Sequence, residues 1–181
     1  RSHRRAFVVE VMGRHSGYLA MASAVAAGAD GILLPEVKRT DDELVALVAE
    51  KIRGSFAGDR GRRRVLIVKA EGVEMPCTRL VRQVQVALEP ALPGVEVRAT
   101  VLGHLVRGGR PTYQDRMIAG RLALACVDAL LEGATDLMAG WMSPVPGGVA
   151  THDAAVRRFP LETVLRETDA LLDGTSPVTQ W

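Results

Sequence analysis

Arg98-Ala-Thr-Val-Leu-Gly-His-Leu-Val-Arg-Gly-Gly-Arg-Pro-Thr-Tyr-Gln-Asp-Arg116 is the stretch that decides the fold. It begins with a β-type run, residues 99–102, and continues through a loop that contains three glycines. A Pro-Thr pair then signals a helix, with Thr112 as N-cap and Asp115 as its partner in a capping-box-like pair. A strand that feeds a glycine-rich loop and then a helix is typical of α/β proteins, which place ligands at the C-terminal edge of the sheet.

This loop is strongly cationic. It carries His104, Arg107 and Arg110, and Arg98 and Arg116 flank it. Guanidinium groups match phosphate oxygens through charge-assisted hydrogen bonds, each of about 1.5–3 kcal/mol. We therefore expect an anionic ligand here, most simply a phosphate ester.

The rest of the chain alternates between strand-like and helix-like runs. Further strands are predicted at residues 6–11, 31–34 and 65–68. Helices are predicted at residues 18–27, from residue 40 up to a loop that covers 54–64, across 80–88, at 112–132 and at 160–172. A hairpin is predicted over residues 137–149. Such alternation predicts an α/β fold with a mainly parallel sheet and helices on both faces.

Composition excludes several classes of protein. The chain has 181 residues, is 48% hydrophobic and carries a net charge of +2, which fits one packed domain or half of a larger enzyme. Two cysteines far apart fit the cytoplasm. No apolar run reaches the roughly 18 residues that span a bilayer, and aromatic content of 4% argues against nucleic-acid binding through residues 60–64. Since the chain begins at Arg1 without a methionine, we expect it to be an excerpt of a longer protein.

Three predicted loops meet if the sheet is parallel. The loops cover residues 12–14, 69–72 and 103–110, and each lies at the C-terminal end of a predicted strand. Together they would bring Arg14, Glu71, His104 and Arg107 into one crevice. An ionised glutamate can only accept hydrogen bonds, so Glu71 suits a sugar hydroxyl better than a phosphate. The crevice therefore predicts a phosphorylated sugar or polyol as ligand.

Three long motifs carry a family resemblance. They are Phe7-Val-Val-Glu-Val-Met-Gly-Arg-His-Ser-Gly17, Gly28-Ala-Asp-Gly-Ile-Leu-Leu-Pro-Glu36 and the segment 98–109 with its following Pro-Thr and Asp-Arg pairs. In this order and spacing, from about residue 2 to 148, the chain resembles the C-terminal, fructose 6-phosphate-binding half of 6-phosphofructokinase. The resemblance implies that residues 1–150 form this half. The tail is not covered by the resemblance, and we expect residues 151–181 to be a helical extension packing on the same domain.

The resemblance also implies roles for individual residues. Arg14 would be catalytic, near the transferring phosphoryl group. The implied substrate-binding set comprises Arg5, Met12, Gly13, Arg14, Glu71, Arg98, His104 and Arg107. Arg5 and Arg98 match positions that reach into a neighbouring subunit's site, which implies a homo-oligomer, either a dimer or a tetramer. Because the effector site of the allosteric bacterial enzymes lies near these positions, the resemblance also marks Asp30, Arg60, Arg62 and Arg63 as candidate effector-binding residues.

The implied reaction is phosphoryl transfer to the 1-hydroxyl of fructose 6-phosphate, giving fructose 1,6-bisphosphate in glycolysis. The family's nucleotide-binding half, with its glycine loops and its Thr-Ile-Asp-Asn-Asp segment, is not in this sequence. ATP and Mg²⁺ would therefore bind mainly to that half, no metal site is expected in this chain, and the fragment alone would be inactive. Two alternatives stay open at this point: pyrophosphate as the donor, or a non-catalytic, regulatory sugar-phosphate-binding half.

Overall fold

The structure is a computed structural model that describes residues 4–57, 64–141 and 148–177. The chain divides into two compact units, Arg1–Gly108 and Gly109–Trp181. Within the described ranges, no helix is both long and apolar enough to cross a bilayer. The boundary between the units falls inside the segment 1–150. The assignment of that segment to one functional half, with 151–181 as an extension, stays a prediction.

The first unit is built on a parallel sheet. Its elements are β1 (Arg5–Val11), α1 (Tyr18–Ala27), β2 (Gly31–Leu33), α2 (Asp41–Ala57), β3 (Arg64–Ala70), α3 (Cys77–Leu88), β4 (Glu96–Val101) and a short 3₁₀ helix (Gly103–Arg107). The strand order is β2-β3-β1-β4, and every neighbouring pair is parallel. The predicted α/β fold with a mainly parallel sheet is confirmed.

Helices cover both faces of this sheet. The connection from β1 through α1 to β2 crosses the sheet in one direction, and the connections through α2 to β3 and through α3 to β4 cross it in the opposite direction. Because such connections are right-handed, α1 lies on one face of the sheet, and α2 and α3 lie on the other. Ala6, Val8, Val65 and Ile67 are buried, and they lie at alternate positions of the two central strands. The core therefore lies mainly beneath α2 and α3.

The helix caps predicted from the sequence are present in the structure. Gly28 ends α1 in the left-handed conformation, with φ of 61°. Thr40 and Glu43 make a reciprocal capping box, with the Thr40 amide 2.8 Å from Glu43 Oε2 and the Glu43 amide 3.3 Å from Thr40 Oγ1.

The predicted loop over 54–64 was wrong at its start, because α2 continues through Gly54 to Ala57. Phe56 explains the extension, since its ring is buried in the core.

The second unit combines two helices with an antiparallel sheet. Its elements are α4 (Tyr113–Leu131), β5 (Leu137–Trp141), β6 (Val149–Ala150), β7 (Val156–Pro160) and α5 (Leu161–Leu172). The strand order β5-β7-β6 shows that the predicted hairpin over 137–149 was wrong, because β5 pairs with β7 instead. Val156 and Arg158 are both buried, which suits the middle strand. Residues 142–147, the predicted turn, lie outside the described residues.

Candidate functional site

The three predicted loops do meet at one edge of the first unit. Val11 pairs with Ala70, and Glu10 pairs with both Lys69 and Val101, so β1, β3 and β4 end side by side. Their carboxyl ends lead into the Met12–Arg14 loop, the turn after Ala70 and the 3₁₀ helix. This juxtaposition is the arrangement in which α/β proteins bind ligands.

A carboxylate holds two of these loops together. Glu71 Oε1 accepts the backbone amide of Gly13 at 3.0 Å and that of Arg14 at 2.5 Å. Arg14 has φ of 51°, a left-handed conformation that is uncommon for arginine. The two hydrogen bonds from consecutive amides stabilise the Gly13–Arg14 segment in that conformation.

The positive charges predicted for the site lie around the same carboxylate. The pKa of Glu71 is lowered below its ordinary value, first by the Arg14 amide, next by the Gly13 amide, and then by the nearby charges of Arg107 and His104. The residues Arg14, Glu71, His104 and Arg107 are all exposed to solvent. The structure therefore brings these four predicted site residues into one accessible neighbourhood.

Close packing fixes the backbone of the two linked loops. A Cβ atom on Gly72 would lie 2.4 Å from the carbonyl oxygen of Arg14 and 3.2 Å from the ring of Pro35. A Cβ atom on Gly13 would lie 2.5 Å from the carbonyl oxygen of Ser16. Glycine at position 72 lets the two loops approach each other, and glycine at position 13 lets the first loop fold back on Ser16.

An open groove of about 500 Å³ lies beside these loops on the α1 face of the sheet. Met12 and Arg107 both line it. Its floor is apolar, formed by alternate residues of β1 and β3, including Val9, Val11 and Val68. The groove thus combines an apolar floor with one arginine, Arg107, in its lining.

Arg5 and Arg98 form a separate group. Arg5 Nε lies 3.2 Å from Glu96 Oε2, and Arg98 Nε lies 2.8 Å from Glu96 Oε1. Arg5 begins β1, so at about 3.3 Å per residue it lies about 20 Å from the strand end that carries Met12. The two arginines therefore do not join the Glu71 neighbourhood of their own chain.

Glu96 was not predicted from the sequence to be a partner of these two arginines. Its pKa is lowered, mainly by the hydrogen bond from Arg98 and further by the charge of Arg5. Because strand side chains alternate with a period of two, the spacing of Glu96 and Arg98 already placed both on one face. That signal was available, whereas the pairing of Glu96 with Arg5 depends on strand order.

Of the four predicted effector residues, the structure describes only Asp30. The Asp30 carboxylate accepts the Leu66 amide at 2.9 Å, which ties the start of β2 to β3. Arg60, Arg62 and Arg63 lie outside the described residues. Effector binding by these four residues stays a prediction. Among the residues that the structure describes, no three His, Cys, Asp or Glu side chains cluster so as to hold a metal ion.

Comparison with known proteins gives consistent matches. Residues 1–130 match the family model described as Phosphofructokinase. An ATP-dependent 6-phosphofructokinase from Thermotoga petrophila is 40% identical over 137 residues, which cover 76% of this chain and 39% of that protein. One from Brevibacillus brevis is 41% identical over 162 residues, or 89% of this chain and 47% of that protein. The chain thus spans less than half the length of these curated relatives.

A solved structure agrees with this match. The crystal structure of Pichia pastoris phosphofructokinase in the T-state superimposes with a TM-score of 0.70 at 29% sequence identity. The aligned region covers 96% of this chain and 19% of the yeast chain.

Proposed function

Since this chain belongs to the phosphofructokinase family, we propose that the protein transfers a phosphoryl group from ATP to the 1-hydroxyl of fructose 6-phosphate. The product is fructose 1,6-bisphosphate, which places the protein in glycolysis, in the cytoplasm. The first unit of this chain supplies the sugar-phosphate site. The observation that supports this proposal is the meeting of the Arg14 loop, Glu71, His104 and Arg107 at one sheet edge.

Each group has a chemical role in the proposal. Arg107 and His104 bind the 6-phosphate, because both can donate charge-assisted hydrogen bonds to phosphate oxygens. Both loop amides reach Oε1 of Glu71, so Oε2 can accept from a sugar hydroxyl. Met12 lines the adjoining groove and packs against the sugar.

Arg14 is the catalytic residue of the proposal. Phosphoryl transfer depends mainly on positioning and on stabilising charge over the phosphoryl oxygens. The Arg14 main chain is anchored by Glu71, which fixes the base of its side chain while the guanidinium stays exposed. In the proposal this guanidinium stabilises the negative charge that develops on the phosphoryl oxygens.

Arg5 and Arg98 serve a neighbouring subunit in this proposal. The distance of Arg5 along β1 from its own Glu71 supports this assignment, and Glu96 holds the two guanidinium groups near each other. Together they present two guanidinium groups that can hold a second side of the 6-phosphate. The protein is accordingly a homo-oligomer, a dimer or a tetramer, whose sites are completed across a subunit interface.

ATP and Mg²⁺ are assigned mainly to the half of the family that this chain does not match. The donor assignment is supported by the names of the Thermotoga and Brevibacillus relatives, both called ATP-dependent. In this assignment Mg²⁺ supplies charge neutralisation on the donor phosphates, and the residues of the first unit bind and orient the acceptor sugar.

The test is an assay of the full-length gene product. Fructose 6-phosphate is supplied with Mg²⁺ and either ATP or pyrophosphate, and fructose 1,6-bisphosphate is measured directly by phosphorus NMR. We expect product with ATP. If product forms with pyrophosphate but not with ATP, the donor is pyrophosphate and the ATP assignment is wrong. Binding of fructose 6-phosphate without product from either donor would reject the kinase and favour a sugar-phosphate sensor.

A further inference from the structure

Lys69 is a buried cation that the proposed reaction does not use. Its side chain is 1% exposed, which is rare for lysine. The ammonium group donates to Glu10 Oε2 at 2.9 Å, to the carbonyl oxygen of Ala70 at 3.2 Å and to that of Val73 at 2.9 Å. All three N–H donors of the ammonium group therefore have a partner.

These partners bracket the turn that carries Glu71. The carbonyls of Ala70 and Val73 lie on either side of Glu71 and Gly72, and the Val73 amide also donates to the Ala70 carbonyl at 3.2 Å. Both carbonyls converge on the one ammonium group. Lys69 thus holds the turn closed from its buried side.

Glu10 connects this turn to the Arg14 loop. Glu10 and Lys69 are register partners on the adjacent parallel strands β1 and β3. Glu10 precedes the Gly13–Arg14 segment by only a few residues on β1, and Lys69 stands two residues before Glu71 on β3. The ion pair therefore joins the two strand ends whose loops meet through the Glu71 carboxylate.

We infer that Lys69 is a positioning residue for the sugar-phosphate site. By clamping the turn at Ala70–Val73 onto Glu10, it keeps Glu71 Oε1 within hydrogen-bond distance of the Gly13 and Arg14 amides. Lys69 acts through Glu71 and does not touch the sugar. The inference rests on the proposed function, because that proposal makes Glu71 and Arg14 the groups that need to be positioned.

The test uses the full-length protein with Lys69→Met, which keeps much of the side chain's length and removes its donors. Lys51→Met is the matched control, since Lys51 is exposed on α2. Hydrogen–deuterium exchange is followed by mass spectrometry in peptides that contain Gly13–Arg14 and Glu71–Val73. We expect exchange in both peptides to rise about tenfold in Lys69→Met, with no change in α2 or α3, because only the local opening becomes easier.

Steady-state kinetics supplies the second readout. Lys69→Met is expected to raise KM for fructose 6-phosphate about tenfold through the misplaced Glu71 and to lower kcat through the misplaced Arg14 loop, with KM for ATP unchanged. Unchanged exchange in the Gly13–Arg14 peptide would overturn the inference. So would a uniform rise across the whole chain, since that result would make Lys69 a general stabiliser. Loosened loops with KM for fructose 6-phosphate and kcat both unchanged would also reject the positioning role.

A second variant covers the case in which Lys69→Met does not fold. Glu10→Gln keeps the shape of the partner and removes its charge, so it is expected to loosen the same two peptides to a smaller extent. Equal exchange in Glu10→Gln and the wild type would overturn the inference. The exchange readout needs no substrate. A wild type without kinase activity would therefore refute the proposed function, while the exchange data still decide the role of Lys69.

Discussion

The backbone amide of Arg14 donates to Glu71 Oε1 at 2.5 Å, although the two residues are 57 positions apart in the sequence. This contact joins the loop after β1 to the turn after β3. It also explains how an arginine keeps a φ of 51°, a conformation that costs free energy for a residue with a side chain. The orientation of the proposed catalytic residue therefore depends on a carboxylate from a different strand.

Replacing Glu71 with glutamine should give a pH-dependent loss of stability. The pKa of Glu71 is lowered in the folded protein, chiefly by the Arg14 amide. Its stabilising effect is therefore complete above the ordinary glutamate pKa and is lost as pH falls through the folded value. We expect Tm to fall by about 1–3 °C near neutral pH, since the group is exposed, and the difference from the wild type to vanish in acid. Glu74→Gln is the control. A difference that is constant with pH would contradict the assignment.

Gly72→Ala should disrupt the same contact through sterics. A Cβ atom would lie 2.4 Å from the Arg14 carbonyl oxygen, and overpacking of this kind costs about 1–3 kcal/mol. Gly54→Ala is the matched control, because nothing lies within 4 Å of its added Cβ and alanine should stabilise α2 by about 0.5–1 kcal/mol. Urea denaturation of both variants measures the two effects. A Gly72→Ala variant as stable as the wild type would show that the loops yield without cost.

Local features of the fold could be predicted because their causes are local. The Thr40 capping box and the Gly28 helix end each depend on residues a few positions apart. The capping box at α4 is of the same kind, with the Thr112 amide 2.7 Å from Asp115 Oδ2 and the Asp115 amide 3.2 Å from Thr112 Oγ1. In the first unit the alternation of strands and helices also predicted a parallel sheet, since parallel strands need crossovers.

Contacts across strands could not be predicted from sequence, because they depend on strand order and register. Placing Glu10 beside Lys69 requires that β1 and β3 be neighbours in one particular register. A buried lysine also contradicts the usual expectation that lysine faces solvent. For the candidate site, the sequence predicted which residues gather at the sheet edge. It did not predict that Glu71 would bind the main chain of the Arg14 loop.

Arg107→Ala should weaken sugar-phosphate binding selectively. In the proposal Arg107 donates to the 6-phosphate, and the loss of one charge-assisted hydrogen bond corresponds to an increase in KM of about 10- to 100-fold. KM for ATP should change by less than about twofold, since uniform effects would need a contact with both substrates. Arg110→Ala, at an exposed arginine three positions further along the chain, is the control. Equal increases in both KM values for Arg107→Ala would contradict its assignment.

Arg14→Asn should lower kcat with little change in KM. Asparagine tolerates the left-handed conformation that Arg14 adopts, so the variant removes the guanidinium group without adding backbone strain. Loss of a group that stabilises transition-state charge lowers kcat by about 10²- to 10³-fold. Steady-state kinetics with the full-length protein measures this effect, and thermal unfolding checks that the fold is intact. An unchanged kcat would reject Arg14 as the catalytic residue.

Mixing Arg98→Ala and Arg107→Ala chains should restore activity if the sites are shared between subunits, when fructose 6-phosphate is kept well below the KM of either variant. An Arg98→Ala chain keeps its own Arg107, and an Arg107→Ala chain keeps its own Arg98. In a mixed two-fold pair, one site therefore receives both intact arginines, while the other site lacks both. Random exchange of subunits should then give about a quarter of wild-type activity, because half of the pairs are mixed and each holds one intact site. The activity is measured after the two variants are dissociated together and reassembled, with each variant treated alone as the control. Activity that never exceeds the average of the two separate variants would show that Arg98 and Arg107 of one chain serve the same site.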